Sequence, residues 1–122
     1  ADAAAALAPA VRRGCFVAIG EPFWRQWPLE PDVDAQEFVD LEATVARFER
    51  AGLATTGIVA ASEEDWDRYE SLHWRAVEEW LAEHPEHPDA AEIRGRHEGY
   101  RRDYVRSQRS LLGWAIFVGR KG

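Results

Sequence analysis

The sequence predicts an α/β fold, because three short apolar runs are separated by segments with helical spacing of their apolar residues. The first run, Cys15–Gly20, shows no alternation of apolar and polar residues, which is typical of a strand covered on both faces in a parallel sheet flanked by helices. Thr55–Ala61 and Trp114–Val118 are the other two predicted strands. Glycines and prolines at the ends of these runs mark the turns between the elements.

The chain before the first strand is rich in alanine. Residues 3–11 are predicted to form the end of a helix, and Arg13-Gly14 the turn that leads into the strand. The strand is followed by residues 21–31, which contain three prolines and two tryptophans. This composition is too rigid and bulky for a flexible linker, so it predicts an ordered loop.

A helix is predicted over residues 41–50 from the spacing of Leu41, Val45 and Phe48. Asp40 is suited to cap its first turn, and Gly52 lies where a helix-terminating glycine is expected. With the strand that follows, this predicts a strand–helix–strand unit with a right-handed crossover.

The segment between the second and third strands is predicted to hold two helices. Ser62 and Asp65 resemble a capping box, and apolar or aromatic residues then follow at steps of three or four: Trp66, Tyr69, His73, Val77 and Trp80. Pro85 and Pro88 end this helix.

The second helix of the segment is expected over residues 89–111, and Gly113 is expected to close it. One face carries Ile93, His97, Tyr100 and Tyr104. Its surface carries two oppositely charged pairs at i,i+4 spacing, Glu92 with Arg96 and Glu98 with Arg102.

Composition excludes several classes of function. The 122 residues are enough for one domain, and 46% apolar residues with six tryptophans favour a folded chain over a disordered one. The net charge of −7 disfavours nucleic acids and anionic membranes as partners. The alanine-rich start is too short and too charged for a signal sequence or a membrane span.

The single cysteine permits no internal disulfide. Cys15 is expected to be a buried, inert thiol, and a cytoplasmic location fits this use of cysteine. His84 and His87 have a His-x-x-His spacing, but each precedes a proline and no further ligand stands at a usual separation, so no metal site is predicted.

Several longer motifs carry a resemblance to a known family. They are residues 21–26 (Glu-Pro-Phe-Trp-Arg-Gln), 65–70 (Asp-Trp-Asp-Arg-Tyr-Glu), 89–94 (Asp-Ala-Ala-Glu-Ile-Arg) and 113–117 (Gly-Trp-Ala-Ile-Phe), with Trp74 and Trp80-Leu81. Together with the Arg-x-Gly turn at residues 12–14, they resemble a bacterial subgroup of class I S-adenosylmethionine-dependent methyltransferases. The likeness covers nearly the whole chain.

The resemblance implies a specific architecture. The three strands would correspond to strands 5, 6 and 7 of the Rossmann-like methyltransferase sheet, with the antiparallel seventh strand between the other two. The chain would be a single domain, residues 1–122, in which residues 62–112 form a helical lid over the substrate site.

The chain matches only the second half of that family's domain. It contains no Gly-x-Gly-x-Gly turn after a first strand, and no acidic residue after a second strand to hold the cofactor's ribose. We therefore expect a fragment that does not bind S-adenosylmethionine alone, although that cofactor serves the complete enzyme. The expected partner is the missing N-terminal half, without which the unpaired edge of the first strand would favour self-association.

Candidate site residues follow from position. Glu21 is predicted to stand at the end of the first strand, where it could act as a general base, although a solvated acid or a partner for Arg25 is the alternative. Three aromatics after it, Phe23, Trp24 and Trp27, could stack on a planar methyl acceptor or merely pack the loop.

Trp66, Tyr69 and His73 could line the acceptor pocket from the lid, or they could belong to a core. The function predicted is substrate recognition within a methyltransferase acting on a small molecule. A stand-alone binding or interaction module and an inactive piece of a longer chain are the alternatives.

Overall fold

The computed structural model describes residues 2–122. The helices are α1 (Ala3–Leu7), α2 (Leu41–Arg50), α3 (Glu63–Glu83) and α4 (Ala90–Asp103), and the strands are β1 (Phe16–Trp24), β2 (Leu53–Ala60) and β3 (Leu112–Lys121). A 3-10 turn, Ala8–Ala10, extends α1, and a π-helical turn, Tyr104–Gln108, follows α4. The chain divides into two compact units, one being Ser62–Ser110 and the other containing all three strands.

The three strands form one sheet in the order β1-β3-β2. β3 is antiparallel to both neighbours, so that Phe117 pairs with Ile19 on one side and with Ile58 on the other. This confirms the predicted arrangement, in which an antiparallel last strand lies between two strands that run parallel to each other.

β1 is longer than the sequence predicts, and its extension corrects the expected loop. Glu21–Trp24 continue the strand rather than leaving it. The amide of Arg25 donates to Leu111 beside β3, whereas that of Trp24 donates to Val39 on the opposite side. Successive backbone amides of the strand thus point to opposite sides, and the nitrogen of Pro22, two residues before Trp24, faces away from β3. The missing N–H of Pro22 therefore breaks no hydrogen bond between β1 and β3.

One face of the sheet carries the core of this unit. α1 and α2 pack there, and Phe117 contacts both Phe23 and Phe48, with ring centroids 6.3 and 5.5 Å apart. The other buried members of the cluster are Ala4, Ala8, Ile19, Leu53 and Ala115.

The opposite face of the sheet is exposed along the first part of β1, and it is buried only towards the end of the strand, at Trp24 and its partner Leu112. The expectation that residues 15–20 are covered on both faces is therefore wrong for this chain. Phe16 is 62% exposed and Ile116 37% exposed. Both helices that cover the strands lie on the core side. Along residues 16–23, β1 also has no strand neighbour on the side away from β3 within the described residues.

Cys15 is exposed, which contradicts the expected buried thiol. The residue lies just before β1, where its backbone N–H donates to Arg12 and its carbonyl accepts from Lys121. Because the strand begins one residue later than predicted, the side chain lies outside the covered part of the sheet.

α2 has the predicted bounds and caps. A side-chain oxygen of Asp40 accepts from the amide of Ala43, and Gly52 has a φ of +81°, a left-handed conformation that favours glycine.

In the second unit, the predicted capping box is present, with Ser62 and Asp65 exchanging hydrogen bonds. Glu92 pairs with Arg96 as expected, whereas Glu98 lies 4.0 Å from Arg94.

The end of the second insert helix differs from the prediction. α4 passes into the π turn at Tyr104, and Gly113 does not close a helix but pairs with Phe23 inside the sheet. A Cβ on Gly113 would lie 2.5 Å from the ring of Phe23. Glycine at this position is therefore explained by close approach of a buried ring. None of the helices in the described part of the chain is both long and apolar enough to cross a membrane.

Gly113→Ala is expected to destabilise the fold by about 1–3 kcal/mol, because the added methyl overpacks against the buried Phe23 ring. Denaturant unfolding measures the loss. Gly95→Ala is the matched control, since a Cβ there has no neighbour within 4 Å. The control should stabilise α4 by about 0.5–1 kcal/mol. Equal stabilities of the Gly113 variant and the parent would contradict the packing argument.

Candidate functional site

The carboxyl ends of β1 and β2 lie at the same edge of the sheet, because both strands are antiparallel to β3. The Arg25 guanidinium reaches from the end of β1 to the carbonyl of Ala61 after β2, at 3.5 Å. In open α/β sheets this is the edge where ligands bind. The chain therefore presents two of its three strands to such a site.

Glu21 lies within β1 rather than at its end, three residues before Trp24. It pairs with Ala115 and shares the strand face of Ile19 and Phe23, which is the face that α2 covers. Burial raises the pKa of Glu21, and the positive charge of Arg47 on α2 opposes that rise. Glu21 is thus a partly desolvated acid that faces α2. Its catalytic role stays a prediction.

Two of the three aromatics in the following segment are buried. Phe23 packs edge-on against Phe117. Trp24 is 1% exposed, and its indole N–H donates to the carbonyl of Ala35 at 2.9 Å, which ties the loop after β1 to the strand. Trp27 is 52% exposed and is thus the accessible member of the group. Substrate binding by these residues stays a prediction.

The residues expected to form the lid are largely outside the α3–α4 interface. α3 meets α4 and the π turn through Asp67, Trp74 and Glu78. Tyr69 is 68% exposed and His73 is exposed as well, whereas Trp66 is partly buried. A core role therefore does not account for Tyr69 or His73.

A polar cluster that the sequence analysis missed joins the two ends of this unit. The Asp67 carboxylate accepts from the Tyr104 hydroxyl at 2.7 Å and from Arg109 at 2.9 and 3.0 Å. Hydrogen bonds from Arg109 and Tyr104 lower the pKa of Asp67, and burial together with the bond to Asp67 raises that of Tyr104. No sequence signal predicts these partners, because their approach depends on the π turn.

The histidine pair at the end of α3 forms an aromatic cluster. The His84 ring stacks on Trp80 with centroids 4.5 Å apart, and its Nδ1 donates to the Trp80 carbonyl. Nδ1 of His87 accepts from the amide of Asp89. Among residues 2–122 no group of three metal-ligating side chains is suitably placed.

The sheet order, the antiparallel last strand and the helical insert before it together define the C-terminal half of a class I methyltransferase domain, which confirms the family resemblance. The chain is similar to a methyltransferase structure from Geobacter sulfurreducens in complex with S-adenosyl-L-homocysteine, at 32% identity and a TM-score of 0.82. That match covers 95% of this chain and 49% of the other.

Two further proteins support the same assignment. A methyltransferase from Thiobacillus denitrificans, also in complex with S-adenosyl-L-homocysteine, matches at 30% identity and a TM-score of 0.82, over 95% of this chain and 50% of its own. The Escherichia coli protein YjhP is 32% identical over 119 residues, which is 92% of this chain and 48% of YjhP, and its crystal structure matches with a TM-score of 0.83.

The chain thus spans about half the length of each of these relatives. No family model matches the sequence.

Glu21→Gln is expected to raise the free energy of unfolding at pH 7. At low pH, where Glu21 is protonated and uncharged, the substitution is expected to have no effect. Burial raises the folded-state pKa of Glu21 above the ordinary value of a glutamate, which means that folding disfavours the charged form. The free energy of unfolding therefore falls as pH rises through the range in which Glu21 loses its proton. Thermal unfolding between pH 4 and 8 measures the difference, with the exposed Glu49→Gln as control. A less stable Gln variant at pH 7 would instead show that the attraction to Arg47 dominates.

Proposed function

We propose that this chain is the substrate-recognition half of an S-adenosylmethionine-dependent methyltransferase that acts on a small molecule. The observation that carries the proposal is the antiparallel β3 between two parallel strands, in a chain that matches half of three methyltransferase-like structures. A cytoplasmic location belongs to the same proposal and is supported by the lone, disulfide-free Cys15.

The cofactor is S-adenosylmethionine, and we place its binding residues in the half of the enzyme that this chain does not contain. The glycine-rich turn and the ribose-binding acid that such cofactor sites use are both absent from these 122 residues. The chain is therefore expected to be inactive without that half.

The N-terminal half is the partner that we infer for the open side of the sheet. The edge of β1 that faces away from β3 is unpaired along residues 16–23, and Phe16 and Val59 are exposed on one face of the sheet. Both features would be an aggregation hazard if left uncovered. A strand from the N-terminal half would satisfy the edge of β1. Without that half, we expect self-association through the same edge.

Residues of the strand unit and residues of the insert are proposed separately as contacts of the acceptor. Trp27 and Tyr69 offer exposed rings suited to a planar acceptor, with Phe23, Trp24, Trp66 and His73 as the further proposed members. Most of the rate would come from holding the acceptor in line with the sulfonium methyl group, and Glu21 is the proposed base where a proton must leave.

The isolated chain is expected to bind S-adenosylmethionine no tighter than about 100 μM, roughly −5.5 kcal/mol, whereas the full-length protein should bind it tighter. Isothermal titration of both forms makes the comparison. Sedimentation of the same samples shows whether self-association of the isolated chain masks a site. Tight binding by the monomeric isolated chain would contradict the proposal that the cofactor-binding residues lie in the missing half of the enzyme.

Tyr69→Ala in the full-length enzyme is expected to lower kcat/KM for the acceptor at least tenfold and to leave cofactor affinity unchanged. Because Tyr69 is mostly exposed, its removal should change stability by only about 0.5 kcal/mol. Tyr100→Ala on α4 is the matched control, since Tyr100 is 62% exposed and lies outside the proposed site. Equal kinetics of the two variants would remove Tyr69 from the acceptor site.

A further inference from the structure

Asp67 lies near the start of α3, between Trp66 and Tyr69 in sequence. Its carboxylate binds two groups from the far end of the same unit, the Tyr104 hydroxyl and the Arg109 guanidinium, the latter through two hydrogen bonds. Arg109 also lies 2.9 Å from Glu63, one turn earlier in α3. Three hydrogen bonds to one carboxylate thus connect the second turn of α3 to the end of the helical segment.

The π turn explains how Tyr104 and Arg109 reach the same carboxylate. Residues five apart do not share a face of an α-helix, where neighbours stand three or four positions apart. In the π turn the amide of Arg109 donates to the carbonyl of Tyr104, an i→i+5 bond that brings the two residues onto neighbouring positions. A regular α-helix here would carry one of the two partners away from Asp67.

No side-chain hydrogen bond within the described residues orients the aromatic pair beside Asp67. Trp66 and Tyr69 meet edge-to-face with ring centroids 6.2 Å apart. The indole N–H of Trp66 is buried and has no hydrogen-bond partner among the described residues, and Tyr69 is mostly exposed. Their orientation therefore depends on ring packing and on the backbone of the turn that carries them.

We propose that Asp67 is the positioning residue for this pair: through Tyr104 and Arg109 it holds the first turns of α3 so that Trp66 and Tyr69 form one fixed surface. The inference rests on the proposed acceptor site, since it gives that surface its function, but it concerns a residue that does not itself contact the acceptor. Asp67 acts here by geometry and takes no part in methyl transfer.

The experiment follows the Trp66 indole resonance of the full-length protein labelled with ¹⁵N, without cofactor or acceptor. The Trp66→Phe spectrum identifies that resonance. Asp67→Asn should shift or broaden it and should lower amide-exchange protection about tenfold in both residues 63–67 and residues 104–109. Tyr104→Phe keeps the Arg109 bonds and should give a smaller change in the same direction.

Glu79→Gln is the matched control, because it breaks a 3.0 Å carboxylate–arginine bond to Arg75 elsewhere on α3. It should leave both the indole resonance and the protection pattern unchanged. If Asp67→Asn lowers protection but the Trp66 resonance stays as in the parent, Asp67 is a structural residue only and the inference is overturned. An equal response to Glu79→Gln would also overturn the inference, because it would show that loss of any carboxylate–arginine pair on α3 has the same effect.

Failure of this test is distinct from failure of the proposed function. The indole signal requires no ligand, so it can fail while Tyr69→Ala still impairs methyl transfer. Conversely, the Asp67 response can be found in a protein in which Tyr69→Ala changes no kinetic constant.

Discussion

The sheet depends on β3, which within residues 2–122 is the one strand that pairs with both β1 and β2. Each outer strand forms its ladder with β3, and the two would have no contact through backbone hydrogen bonds without it. The core is organised around the same strand, because Phe117 at its centre packs between Phe23 and Phe48. Loss of β3 (Leu112–Lys121) would therefore remove both the ladder and the centre of the core.

The helical segment between β2 and β3 is a continuous stretch of the chain. Ser62–Ser110 forms one compact unit. Within it, the hydrogen bonds of Asp67 connect the second turn of α3 to Tyr104 and Arg109, near the end of the segment. A single carboxylate thus fixes both ends of the helical segment, and the aromatic surface proposed to contact the acceptor lies next to it.

The surroundings of the candidate site residues were decided by strand pairing and helix packing, which residue type does not reveal. The sequence indicates Glu21 as a strand-end acid, but pairing with β3 continues to Trp24 and places Glu21 on the face that α2 covers. It indicates Tyr69 and His73 as members of a helical stripe, which periodicity alone cannot assign to core or surface. The contacts of Asp67, Trp74 and Glu78 with the second helix leave Tyr69 and His73 exposed.

Local chemistry was sufficient to predict the elements and their caps: the Asp40 cap, the Gly52 terminus and the Ser62–Asp65 box all depend on residues within one turn of each other. The length of β1, the exposure of Cys15, the place of Gly113 and the partners of Asp67 were decided only by tertiary structure. Each depends on a residue distant in sequence, as when the ring of Phe23 occupies the space beside Gly113. Short-range spacing carries no information about such approaches, because they arise only when strands pair or helices pack.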